Sequence, residues 1–375
     1  MAAKRRTTAW LLTWICVLVI VYASIYPFED WRNQEIAPWS FVLAPWPHYN
    51  TWFDINSNVL GYSPLGFWFC LACMRSGYLR QWSWVFAVVA SCALSFAMEC
   101  MQTFLPMRVP SQLDWTLNTL GGMVGALLAV VLERRGWLYR WTQFRRQWLT
   151  HDASGSLVLL ALWPLALLFP VTVPLGLGHV AEGMRRLGLE VFPQMDVRFL
   201  GQLVDDFSQP MTPVFEMLCV FLGLFVPGIL AMLVCQRLGQ RLAALVLLTV
   251  LAMMATGLSA ALTYGPEHAW HWLTPPSGSG LALGVCGLTL MLNRSERFLL
   301  LFLFVAQLAL LLLLNISPVS TYYEQTTQTW EQGRFIRFHG LTPWLNWLWP
   351  WALLIWTGWR LKHQALAGEG SKISP

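Results

Sequence analysis

Ten stretches of this chain are apolar for close to a full membrane crossing, and that repetition limits the possible folds more than any single motif. A spanning helix needs about 20 mostly apolar residues. On that rule helices are expected near 8–26, 57–74, 82–104, 114–132, 155–175, 213–235, 242–262, 279–293, 297–315 and 343–360, with the eighth short and Gly-rich. Composition agrees: 56% of the residues are hydrophobic and 11% are charged, against about 25% charged in a soluble domain. Many of the 23 Trp, such as Trp39, Trp46, Trp52, Trp82, Trp84, Trp344 and Trp347, crowd the edges of the runs, at the depth where indole rings settle. The expected fold is all-α, a polytopic transmembrane bundle of about ten helices.

Basic residues give an independent test of this layout. With the N-terminus inside, the inner segments hold Lys4, Arg5 and Arg6; Arg75 and Arg80; Arg134, Arg135, Arg140, Arg145 and Arg146; Arg237 and Arg241; Arg294 and Arg297; Arg360, Lys362 and Lys372. That is 17 of the 24 Lys and Arg, and every inner connection carries at least two, as the positive-inside rule requires. Both termini are therefore expected in the cytoplasm. The run from Ala9 to Ile25 reads as a retained helix, because a signal peptide has a shorter apolar core and a small-residue cleavage site.

The basic clusters are short, which excludes the continuous basic face of a nucleic-acid binder. The eight Cys lie singly or as Cys70-Leu-Ala-Cys73 inside apolar runs and read as small buried hydrophobes. No disulfide, zinc site or other cofactor is expected. The segment 133–154, with Arg134, Arg135, Arg140, Arg145 and Arg146 among Trp137, Tyr139, Trp141 and Phe144, suits an amphipathic helix on an anionic leaflet. It divides a four-helix first region, 1–132, from a six-helix second region, 155–375.

The first region contains an internal echo. Asp54-Ile-Asn-Ser-Asn58-Val-Leu60-Gly61 recurs as Asp114-Trp-Thr-Leu-Asn118-Thr-Leu120-Gly121. Each copy opens an apolar run, so helices 1–2 and 3–4 read as two similar hairpins in one orientation, a parallel repeat. An Asp in the first turn suits the positive end of a helix. The Asn one turn deeper needs a partner inside the bundle and can act as interhelical glue.

The same region carries a polar constellation between two apolar runs: Glu99, Gln102, Arg108, Asp114 and Asn118. Glu99 and Gln102 share a helix face, with Glu99 about 10 Å in from Pro106 at about 1.5 Å per residue. Asn118 lies about 6 Å in from Asp114 along the returning helix. The short turn at 105–113 makes the two helices antiparallel neighbours, so the groups can converge in one outward-opening cleft. Three chemistries fit: Glu99 and Asp114 as an acid/base pair, an acidic cleft for a cation, or Arg108 with the amides gripping a phosphate. An ion pair from Arg108 to Glu99 or Asp114 that only pins the hairpin fits as well.

The run E-x-x-Q-x-F-x-P-x-R, followed by D-x-x-x-N-x-x-G-G, resembles the signature of the VanZ-like membrane protein family. The upstream Tyr22-Ala-Ser-Ile-Tyr-Pro27-Phe28 and Asn58-Val-Leu-Gly-Tyr-Ser-Pro64-Leu-Gly66-Phe67 resemble that family's first two helices. The resemblance covers roughly residues 9–132, with matching positions Asn58, Pro64, Glu99, Gln102, Phe104, Pro106, Arg108, Asp114, Asn118 and Gly122. Gly61-Tyr62 departs from it, where a larger apolar residue and Phe are expected. The family takes its name from a protein linked to teicoplanin resistance, so the resemblance implies a cell-envelope role in a bacterial inner membrane. It brings no catalytic mechanism with it.

Beyond residue 132 the signals are weaker. Glu267, His268 and His271 sit together without a third convergent ligand, which favours interfacial packing over metal. The aromatic and arginine mixture from Tyr322 to His339 suits either sugar and phosphate contacts or a helix in the headgroups. Asp205-Asp206 is a lone acidic pair. The leading reading is an outward-facing cleft for a phosphate-bearing lipid or lipid-linked envelope glycan precursor. In it, Arg108 holds phosphate, Glu99 and Asp114 are candidate catalytic groups, and Gln102, Asn118, Asn58 and Asp54 line the site. A transporter or flippase of such a precursor and a non-catalytic membrane scaffold are the alternatives, and whether the chain is an enzyme stays open at this stage.

Overall fold

The computed structural model describes residues 8–26, 28, 30–46, 52–150, 153–168, 171, 173–179, 212–316 and 342–370. The expectations placed on Lys4, Arg5, Arg6 and Lys372, on Arg185, Arg186, Arg198 and Asp205-Asp206, and on the stretch from Tyr322 to His339 lie outside these residues. Among the described residues there are eleven α-helices and no strand, so the fold is an all-α bundle. The helices are α1 (Thr8–Ile25), α2 (Trp52–Arg75), α3 (Arg80–Gln102), α4 (Gln112–Arg134), α5 (Trp137–Trp148), α6 (Ser154–Ala166), α7 (Pro213–Val234), α8 (Leu238–Tyr264), α9 (Pro275–Met291), α10 (Glu296–Ile316) and α11 (Thr342–Gly370). Five of them, α3, α4, α7, α8 and α10, are long and apolar enough to cross a membrane. Shorter apolar helices cover Ala9–Ile25 and Gly155–Ala166. The chain divides into two compact units, Met1–Gln143 and Phe144–Pro375.

In the first unit the four long helices form two hairpins. Ala9 packs with Leu71 and Ala72 at one end of α1 and α2, while Ile20 and Ile25 meet Tyr62 and Leu65 toward the other, so α1 and α2 are antiparallel. Ser91 faces Gly122, and Ser95 faces Asn118, so α3 and α4 are antiparallel too. Contacts between α2 and α4 advance together along both helices: Asn58 meets Asp114, Val59 meets Gly121, and Ser63 meets Gly125. These two helices run parallel, as the echo requires.

Glycine sets the closeness of that crossing. A Cβ on Gly125 would strike the Ser63 carbonyl, and one on Gly66 would strike the Gly122 main chain. With hydrogen in place of methyl the two backbones touch, the usual device where lipid leaves little hydrophobic drive between helices. Ser63 Oγ uses the proximity, donating to Val59 O at 2.7 Å and Gly121 O at 3.1 Å.

In the second unit α7 is the central element, buried almost continuously from Cys219 to Val234. The expected helix over 155–175 ends at Ala166. Beyond it the backbone is buried but not helical, with Leu175 at φ 63° and Gly178 at φ 103°. Pro174 has no N–H and disfavours a helical residue before it, so the helix does not resume there although the apolar run continues. Asn315 Nδ2 donates to Gly178 O at 2.9 Å, and Gly178 N donates to Asn346 Oδ1 at 3.3 Å. Two helices thus satisfy the N–H and the C=O of one residue in this irregular strip, as irregular backbone at membrane depth demands. His268 and His271 lie edge to face with ring centroids 4.7 Å apart.

Candidate functional site

The polar constellation gathers at one end of the first unit, where α3 ends and α4 begins. Ser111 caps α4, its Oγ accepting from Leu113 N at 3.1 Å and Asp114 N at 3.4 Å. Ser111 N in turn donates to Glu99 Oε2 at 2.8 Å. A carboxylate 3% exposed therefore sits against the positive end of α4, where a negative charge is favoured. Asp114, in the first turn of the same helix, accepts from Asn58 Nδ2 at 2.6 Å.

Arg108 and Gln102 turn toward α1. Arg108 Nη2 donates to Tyr26 O at 2.8 Å and Ala23 O at 3.4 Å, and Gln102 Nε2 donates to Ser24 O at 3.0 Å. The last carbonyls of a helix have no partner within it, and a cation there also complements the helix dipole. Arg108 and Gln102 therefore cap α1 from the α3–α4 turn. Asp54 lies in the first turn of α2, one turn before Asn58.

The loop after α1 closes over this end. Arg32 N donates to Phe104 O at 3.0 Å, Gln34 Nε2 donates to Thr103 O at 2.7 Å, and Thr103 Oγ1 donates to Pro38 O at 3.4 Å. Phe41 is buried against Phe96 and Trp115. Trp115 Nε1 donates to Cys92 O at 3.2 Å, tying α4 to α3.

Two residues in this cluster, Ser95 and Tyr62, carry no weight in the sequence reading. Asn118, 6% exposed, donates through Nδ2 to Ser95 Oγ at 3.0 Å, and its Oδ1 has no partner. Tyr62, 5% exposed, lies beside Ser95 and Glu99, and its hydroxyl makes no hydrogen bond of good geometry. A signal for Ser95 was present: Ser83, Ser91, Ser95 and Glu99 fall on one stripe of α3 and all four are buried. Tyr62 stands where the family resemblance favours Phe, and that departure places a hydroxyl inside the cluster.

The site so built holds two carboxylates, three amides, a phenol and a serine hydroxyl, with the half-buried Arg108 guanidinium at the same end of the unit. Among the described residues no group of three or more His, Cys, Asp or Glu is placed to hold a metal ion. Compared with known proteins, residues 9–133 match the VanZ/LLP1 family. No curated protein and no solved structure matches the chain. The family match and the apolar helices identify a membrane protein that carries a VanZ-like domain over one third of its length.

Proposed function

We propose that the VanZ-like unit serves the cell envelope from a bacterial inner membrane, with both termini cytoplasmic. Its polar end binds the phosphate-bearing head of a lipid or of a lipid-linked glycan precursor, and so bears on glycopeptide (teicoplanin-type) sensitivity. The observation that carries this reading is Arg108. Its Nη2 rests on Tyr26 O, which holds the half-buried guanidinium at the end of the unit where α3 ends and α4 begins. A planar fork held in place suits a phosphate better than a mobile ammonium does.

The test is binding of polyprenyl phosphate against polyprenol to the full chain in nanodiscs, read by native mass spectrometry. Retention of the phosphate form alone, lost in Arg108→Lys while insertion persists, is the expected result. Equal retention of both lipids, or an Arg108→Lys protein that binds as well as the parent, overturns it.

A scaffold without chemistry is the second reading, and the caps favour it: Gln102 and Arg108 both spend hydrogen bonds on α1. Under that reading Arg108→Lys costs stability and leaves lipid retention untouched.

A further inference from the structure

Tyr62 and Asn118 leave a complementary pair of polar atoms unused. A phenol donates one hydrogen bond, and an amide oxygen only accepts. Both side chains are more than nine-tenths buried, one on α2 and one on α4, and both face Ser95 on α3. The bond from Asn118 Nδ2 to Ser95 Oγ fixes the amide, so its unpaired Oδ1 points away from the serine. Buried polar atoms are rarely left this way without a role.

The chemistry of the pair restricts its ligand. An anion can accept from Tyr62 but offers nothing to Asn118 Oδ1, and the Glu99 carboxylate facing Tyr62 repels it. An ammonium can donate to Asn118 but cannot accept from the phenol. A neutral hydroxyl does both at once. The pair also lies close to Arg108. Tyr62 packs in one apolar cluster with Ile25 and Leu105; Arg108 N donates to Leu105 O at 2.9 Å, and its Nη2 holds Tyr26 O.

We propose that Tyr62, Asn118 and Ser95 form a hydroxyl subsite, taking an alcohol group of the lipid head whose phosphate lies at Arg108. The ligand class is thus an anionic lipid with a hydroxylated head, such as a glycerol or sugar phosphate diester. This deepens the phosphate reading above and rests on it.

The experiment compares phosphatidylglycerol with phosphatidylethanol of the same acyl chains. Both carry one negative charge, and only the first has free hydroxyls. Phosphate-free diacylglycerol is the baseline, with the full chain in nanodiscs and native mass spectrometry as the readout. The expected result is phosphatidylglycerol held about tenfold tighter than phosphatidylethanol, the size of one to two net hydrogen bonds. In Tyr62→Phe the ratio falls to near one. That variant removes an unpaired buried hydroxyl and keeps the ring, so its thermal midpoint should not drop. Equal binding of the two phospholipids above the baseline overturns the hydroxyl subsite and leaves the phosphate reading standing; it is also what a merely hydrated pair would give. A preference that survives Tyr62→Phe overturns it as well. Binding of neither lipid above the baseline overturns both.

Discussion

Asn58 Nδ2 lies 2.6 Å from Asp114 Oδ1, so the amide of the first echo is bonded to the carboxylate of the second. The two copies of D-x-x-x-N-x-L-G thus hold each other across the α2–α4 crossing. The relation is not reciprocal. Asn118, the counterpart of Asn58, turns to Ser95 on α3 instead. A repeat that starts as two equal hairpins has one amide used as a lock and the other left half-open toward the interior.

The lock predicts an energetic coupling. A hydrogen bond to a charged partner contributes about 1.5–3 kcal/mol, and helix–helix polar bonds in membranes run lower, about 0.6 on average. A double-mutant cycle on Asn58→Ala and Asp114→Ala, by reversible unfolding in mixed micelles, should give a coupling of about 1–2 kcal/mol. Additive effects would show that the short contact contributes nothing beyond its parts.

The glycines of the two echoes separate in the same way. Gly121 meets the Val59 main chain, whereas a Cβ on Gly61 meets nothing within 4 Å. Gly61→Ala should therefore stabilise α2 by about 0.5–1 kcal/mol, through helix propensity alone. Gly125→Ala, against the Ser63 carbonyl, should lose about 1–3 kcal/mol by overpacking or fail to insert. Thermal midpoints in detergent decide it, and equal shifts for the two variants would contradict the crossing.

How much of this was legible in the sequence follows from what sequence patterns encode. Glu99, Gln102 and Arg108 stand out because polar side chains between apolar runs are costly and conspicuous, and the structure brings them to one end of the bundle. Their partners were not legible, because main-chain atoms leave no letter: Ser111 N for Glu99 and Tyr26 O for Arg108. Ser95 and Tyr62 are hidden differently, since a serine in a membrane helix reads as a small packing residue and a tyrosine as an interfacial one. The end of α6 at Ala166 shows the limit of hydropathy as a guide. Val171, Val173, Leu175 and Leu177 are as apolar as a helix, but Pro174 among them does not continue a helical backbone.

The caps on α1 predict local fraying rather than global loss. Replacing Gln102 by Leu frees Ser24 O, and Arg108→Lys replaces the two-carbonyl contact of one Nη2 by a single mobile ammonium. Each change should cost about 1 kcal/mol, felt at the last turn of α1. Hydrogen exchange should quicken at Ile25 and Tyr26 in both variants while the amides near Trp14 stay protected. Unaltered exchange at Tyr26 in both would mean that the carbonyls find other donors and that the turn is not a cap.

The second unit offers the opposite test, in which removing a polar group should help. Gln307 is fully buried in α10 at 0% exposure, and neither Nε2 nor Oε1 has a partner. It lies between Leu303 and Leu310, which face the unit's apolar core. An unpaired buried amide costs about 1–3 kcal/mol, and Leu has nearly the same volume. Gln307→Leu should therefore raise stability by about 1–2 kcal/mol, reduced from the full cost because an amide in the unfolded, membrane-bound chain also finds partners. A lower thermal midpoint in that variant would show that the amide is bonded in the working protein. It would mark the core of the second unit as a polar site in its own right.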